Sequence, residues 1–191
     1  AVAVVALAAI LPGYAYCAPL DTPESRMTTP GNVVLDAHGV VLQRDGSEGF
    51  RIPVTLAAIA PAVIDATIAA EDQRFRQHPG VDPIAIARTA FRTGDGPSGA
   101  STLTQQLVRR LYLGSGGGPP LVRKAREALL ALQIEAHRSK DQILELYLNE
   151  VYYGRGAYGI EAAARVYFGV AAANLDVARA AFLAGLPQLP S

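Results

Sequence analysis

Cysteine is almost absent from this chain. Cys17 stands alone, which excludes an intrachain disulfide and a Cys-based zinc site. Histidine is scarce as well. His38, His78 and His137 lie far apart and make no ligand spacing such as His-Glu-x-x-His, so no residue is assigned to a metal. Net charge is missing too, with 17 basic residues against 17 acidic ones. That excludes a globally basic nucleic-acid binder while leaving local patches open. No apolar run reaches the roughly 20 residues of a membrane span. Ala1 to Leu11 comes nearest, ends at Pro12-Gly13, and is followed by no charge before Asp21. Residues 1–20 read as the C-terminal part of a membrane anchor whose beginning is missing. A signal-peptide core and a buried helix are the alternatives, and bulky Tyr16 beside Cys17 argues against a lipoprotein signal.

What is present describes a globular chain. Half of the 191 residues are hydrophobic and 18% are charged, enough for one domain with a real core. Residues 21–32, with Pro23, Ser25, Thr28, Thr29, Pro30 and Gly31, have linker composition, leaving 33–191 as the folded domain. Val33-Val34-Leu35 and Val40-Val41-Leu42 flank Asp36-Ala37-His38-Gly39 and predict a β-hairpin, with His38 exposed in its turn. Beyond Arg51-Ile52-Pro53-Val54 the pattern turns helical. Asp82 and Pro83 open a helix through Phe91, and Arg92 to Gly99 is a loop. Leu103, Leu107 and Leu111 mark one stripe of a helix over Ser101 to Leu113. Gly114 to Pro120 is a flexible connector, followed by a helix from Leu121 to Ala136. Ser139-Lys140-Asp141-Gln142 is a capping box for the next helix, which runs to about Asn149. Tyr152 to Gly159 reads as a turn region, and helices over Ile160 to Phe168 and Leu175 to Leu186 close the chain. The expected fold is mainly α with one short N-terminal hairpin.

One stretch carries the chemistry. Val63, Ile64, Thr67 and Ile68 recur at helical spacing after Pro61, and the stripe continues onto Glu71. That places a carboxylate on the core-facing side at the negative end of the helix dipole, a setting suited to a base. The plainer reading has Glu71 turning outward as the helix frays, with Asp72 starting the loop. Just downstream, between Gln73 and Arg126, stand Arg74, Arg76, Arg88, Arg92, Arg109, Arg110, Arg123, Lys124 and Arg126, against Asp82 and Asp95. Arg123 and Lys124 share a helix face with Glu127. They read either as a surface salt bridge or as a cationic phosphate site oriented by Glu127. Ser101 and Thr102, at a helix start, are either an N-cap or an anion-binding corner.

Together these segments resemble the family 51 glycosyltransferases. Glu-Asp-x-x-Phe-x-x-His-x-Gly at 71–80 and Gly-Ala-Ser-Thr-Leu-Thr-Gln-Gln at 99–106 look like that family's first two motifs. Arg-Lys-x-x-Glu at 123–127, the run from Lys140 to Asn149, and Leu-Ala-Gly-Leu-Pro near the end look like the other three. The resemblance implies a lysozyme-like helical domain that polymerises lipid II into β-1,4-linked glycan with inversion, releasing undecaprenyl diphosphate. It implies Glu71 as catalytic base and Glu127 as the second essential glutamate, near the donor diphosphate. Asp72, Phe75, His78, Ser101, Thr102, Gln106, Arg109, Arg123 and Lys124 match its substrate-binding or site-shaping positions. Its partners would be lipid II, the growing glycan strand and the membrane, on the extracytoplasmic side of a bacterial inner membrane. Nucleic acid is not among them. No cofactor is required, although Mg²⁺ could bridge the diphosphate and Glu127. The Arg-Ile-Pro-Val lead-in and the Leu-Pro-Gln-Leu-Pro ending look more like the bifunctional, 1C-like penicillin-binding proteins than the monofunctional enzymes, and that resemblance implies a transpeptidase domain after this one. Arg109-Arg110 departs from the family's usual Lys-Asn, and the segment between the first two motifs is short.

The chemistry is consistent with that resemblance. A diphosphate leaves as an anion when cations meet it, so the reaction needs one base and a positive cluster. A glycosidase would instead need two carboxylates straddling the bond. Two rivals remain: a lysozyme-like lytic transglycosylase, which leaves the basic stretch unexplained, and a catalytically silent lipid II-binding scaffold, which leaves both glutamates unexplained.

Overall fold

The computed structural model describes residues 22–27, 33–37, 41–44, 49–91, 101–114 and 119–188. Its elements follow in the order α1 (Pro23–Arg26), β1 (Val33–Leu35), β2 (Val41–Arg44), β3 (Phe50–Arg51), α2 (Pro61–Glu71), α3 (Pro83–Phe91) and α4 (Leu103–Val108). Then come a π-helical turn (Arg109–Leu113), α5 (Pro120–His137), α6 (Lys140–Glu150), β4 (Ala157–Tyr158), α7 (Ile160–Phe168) and α8 (Val177–Gly185). The fold is mainly α. The hairpin forms as expected, β1 pairing antiparallel with β2 (Val33 with Arg44, Val34 with Gln43), with an irregularity after Val34. The anchor at 1–20 with Cys17, the His38 turn, the 92–99 loop and residues 115–118 of the glycine connector lie outside the described residues.

Two features depart from the sequence reading. Tyr152 to Gly159 is more than a turn, because β4 pairs in parallel with β3, Phe50 with Ala157 and Arg51 with Tyr158. Two-residue strands more than a hundred positions apart leave no alternation to read. Gly49 permits the pairing: its φ is +98°, and a Cβ there would clash with the Gly156 carbonyl oxygen. The helix expected to run through Leu113 also changes pitch after Val108, where Gly114 N–H donates to the Arg109 carbonyl five residues back. Leu111 on this turn is buried, as are Leu103 and Leu107.

The chain divides into two compact units, one of Ala1–Arg26 with Arg74–Ile143, the other of Met27–Gln73 with Leu144–Ser191. In the first, α4 packs on α5 around Phe75, Leu103, Leu107, Ala131 and Ile134, all buried. The phenylalanine, leucine and isoleucine side chains among them contribute about 1.5–3 kcal/mol each. Part of the expected linker is ordered here: α1 forms with Pro23 at its first position, Glu24 pairs with Arg138 at 2.9 Å, and the Arg26 guanidinium lies over the Tyr112 ring.

In the second unit α2 packs on α8. Asn149 holds Val54 through both backbone groups, at 2.9 and 2.8 Å. Buried Glu161 accepts from the Ala172 N–H at 2.6 Å and pairs with Arg165 at 2.7 Å. The Ala172 carbonyl accepts in turn from the N–H of Ala60, the N-cap of α2. Gly169 ends α7 in the left-handed conformation.

Asp82 caps α3 as its sequence position predicts. Oδ1 accepts from the backbone of Ile84 (2.9 Å) and Ala85 (3.1 Å), and Oδ2 lies 3.2 Å from Arg74 Nε. Burial pushes its carboxyl up, but the Ala85 and Ile84 amides, with Arg74 and His78, outweigh burial and hold it below the ordinary value of 3.8. A carboxyl depressed by folding stabilises above its unfolded pKa and loses that contribution as pH falls through the folded one. Asp82→Ala is therefore expected to cost about 1–2 kcal/mol at pH 7 and progressively less below pH of about 3.8. Urea unfolding of both proteins across that range checks it, and a cost independent of pH would count against the charged cap.

Candidate active site

The first constellation belongs to the second unit. Pro61 stands at the first position of α2, and Val63 and Thr67 form its buried stripe. Three to four residues on, the stripe reaches half-buried Glu71, the last residue of the helix, so Glu71 does not fray outward. Asp72 is the C-cap, buried at 8% exposure, with its N–H donating to the Ile68 carbonyl at 3.0 Å. Glu71 thus stands at the carbonyl end of α2.

The second constellation lies in the first unit, on α4, α5 and the 75–80 loop. Glu127 is 1% exposed on the face of α5. Its Oε2 accepts from Lys124 Nζ at 2.6 Å, and Arg123 Nε stands 3.5 Å from Oε1. Oε1 has no hydrogen bond among the described residues, leaving it open to a further donor. Lys124 Nζ also donates to Ser101 Oγ at 2.6 Å, while Arg123 and Lys124 remain 28% and 44% exposed at their side chains. The shared helix face is therefore more than a surface salt bridge: its carboxylate is buried and its cations reach solvent. Holding a carboxylate in that position carries a desolvation penalty, which the two adjoining cations oppose.

Thr102 takes the N-cap role. Its Oγ1 accepts from Gln105 N–H at 3.1 Å, and Gln105 Oε1 accepts from Thr102 N–H at 3.0 Å, closing a capping box. The Thr102 hydroxyl donates to the Gly80 carbonyl at 2.6 Å, fastening the loop to α4. On the other side Gly80, at φ +102°, lies so near α5 that a Cβ would sit 2.8 Å from the Ala131 carbonyl oxygen. Only glycine fits there.

Phe75 and His78 are buried within this packing and shape the loop. Their rings meet edge to face with centroids 6.4 Å apart, and His78 Nδ1 accepts from Gly80 N–H at 3.2 Å. Gln106 is half-buried, its neighbour Gln105 taking the capping role. Arg109 and Arg110 are exposed on the π-helical turn. His137 is exposed, as its place near a helix end suggested.

The sequence reading missed a part-buried group formed by Thr104, Glu135 and Lys140. Glu135 Oε1 accepts from Thr104 Oγ1 at 2.6 Å and from Lys140 Nζ at 2.7 Å. In the sequence Lys140 belongs to a capping box and opens a family motif, with no role of its own assigned; the structure bears out the box (Ser139 N–H to Gln142 Oε1, 2.9 Å; Gln142 N–H to Ser139 Oγ, 3.2 Å). The available signal was a lysine at the first position of a helix, where the dipole disfavours a cation.

A family model described as Transglycosylase matches residues 38–191. Penicillin-binding protein 1A of Haemophilus influenzae is 49% identical over 147 residues, covering 75% of this chain and 17% of that protein. Its namesake in Escherichia coli is 47% identical over 161 residues (83% and 19%), and that of Aquifex aeolicus 44% over 171 residues (88% and 23%). The chain thus spans about a fifth of the length of these curated relatives. They carry the 1A designation, where the lead-in and ending pointed to the 1C-like branch. The crystal structure of penicillin-binding protein 1A from Haemophilus influenzae superposes on 86% of this chain and 15% of that one, at 25% identity and a TM-score of 0.43.

Proposed function

The chain belongs to the transglycosylase family, a peptidoglycan glycosyltransferase domain, and from that premise we propose that it polymerises lipid II into β-1,4-linked glycan, inverting the anomeric carbon and releasing undecaprenyl diphosphate. The observation that carries this reading is Glu127, a buried carboxylate holding two solvent-reaching cations on one helix face beside Ser101. Cations kept in place by a fixed carboxylate need no reorganisation when negative charge develops before them.

In this mechanism Glu71 takes the proton of the acceptor's 4-hydroxyl as that oxygen attacks the anomeric carbon of the donor. The bond to diphosphate breaks, and Lys124, Arg123 and Arg109 meet the departing charge. Asp72, Ser101, Thr102 and Gln106 bind or shape around the substrate, with Phe75 and His78 acting through the loop they order. The residues around Glu127 do not make a Mg²⁺ cage: one carboxylate already facing two cations is a poor donor set for a hard divalent ion. No step is therefore routed through a metal.

The same reading proposes residues 33–191 as the glycosyltransferase domain. Full-length relatives five times longer leave room for a transpeptidase domain and a membrane anchor, with catalysis on the extracytoplasmic side. Among the described residues no helix is long and apolar enough to cross a membrane.

Incubating the protein with labelled lipid II in detergent is expected to give glycan chains, while purified glycan incubated with it keeps its length. Shortened glycan would move the assignment to a lytic enzyme. Lipid II bound but not polymerised would favour a silent scaffold.

A further inference from the structure

Lys140 stands where local rules disfavour it, a cation at the positive end of α6, and its contacts supply the reason. Its ammonium donates to Glu135 Oε1 at 2.7 Å and to the His78 carbonyl at 2.6 Å, and it lies 4.5 Å from the centre of the Phe75 ring. A compact ammonium with three donors can serve partners in these different directions, which a planar guanidinium could not. Glu135 carries the connection on to Thr104 of α4. One group therefore joins the 75–80 loop, α4, α5 and the start of α6.

The same α5 stripe that holds Glu135 holds Glu127. Glu127, Ala131 and Glu135 recur four apart, about 12 Å end to end. Glu127 engages Lys124 and through it Ser101; Ala131 meets Gly80; Glu135 meets Lys140 and Thr104. The loop and the start of α4 are thus tied to α5 at both ends of this stripe, and the far end depends on Lys140.

We propose that Lys140 is a positioning residue for glycan synthesis: with Glu135 and Thr104 it locks the 75–80 loop and α4 against α5, and so sets where Ser101 stands relative to Lys124 and Glu127. The proposal rests on the polymerase reading for its effect on turnover, but not for the locking itself.

Two measurements on Lys140→Met test it. Amide exchange over Phe75–Gly80 is expected to speed up by about tenfold or more, since the lock is lost. Turnover of lipid II is expected to fall by about 10–100-fold, with KM changing less than kcat, as misplacement remote from the reacting bond predicts. Lys140→Met alone leaves the Glu135 carboxylate without its cation and can unfold the protein. The double variant Glu135→Gln with Lys140→Met removes that charge, and is expected to recover thermal stability without recovering kcat. Recovery of kcat together with stability would overturn the positioning role, and unchanged exchange over 75–80 would overturn the lock. If the wild type makes no glycan, the polymerase reading fails and the effect on turnover fails with it, while exchange still decides the lock.

Discussion

Glu71→Gln is expected to lower the rate of glycan formation from lipid II by about 10²–10⁴-fold, the range of a lost general base. Glutamine keeps the size and a hydrogen-bonding oxygen of glutamate but cannot take a proton at neutral pH. Glu71 is half-buried at the end of α2, and neither the Val63–Thr67 stripe nor the contact with α8 depends on its charge. The variant should therefore fold with nearly unchanged thermal stability and bind lipid II about as well as the wild type. Initial rates, KM and a melting curve on one preparation check all three. Glycan synthesis within a few fold of the wild-type rate would keep the reaction and remove Glu71 as its base.

Glu127→Gln is expected to lower kcat by about 10²-fold or more through a different route. Its carboxylate is 1% exposed and holds Lys124 at 2.6 Å. Glutamine can still accept from Lys124, but without the charge that fixes the two cations their preorganisation is lost. Stability points the opposite way. Burying a neutral amide costs less than burying a carboxylate, and Lys124, 44% exposed, can relax into water. The melting temperature should stay level or rise while turnover collapses. A melting temperature that falls in proportion to activity would make Glu127 a structural residue, and full activity would remove it from the mechanism.

The helices were legible because their signals are local. Pro61 and Pro83 at first positions, Asp82 as a cap, the Ser139–Gln142 box and Gly169 as a stop all act within a turn of their own residues, and each is found where its spacing predicts. Arg123, Lys124 and Glu127 were legible for the same reason, since helical periodicity alone puts them on one face. Whether that face was a solvated salt bridge or a buried site could not be read from spacing. It depends on what α5 packs against, and α4 and the 75–80 loop are brought there by chain folding.

The sequence by itself determined the mainly α class, the place of Glu71 at the end of a helix on its apolar stripe, and the common face of Arg123, Lys124 and Glu127. These follow from backbone periodicity and capping, which involve residues at most four or five apart. The tertiary structure decided the burial of Glu127, the inward placement of Phe75 and His78, the β3–β4 pairing and the lock around Lys140. Each joins residues distant in the chain or depends on what surrounds a helix face. Lys140 shows the division most sharply: local electrostatics alone argues against a lysine at that position, and the reason for it lies 62 residues away at His78.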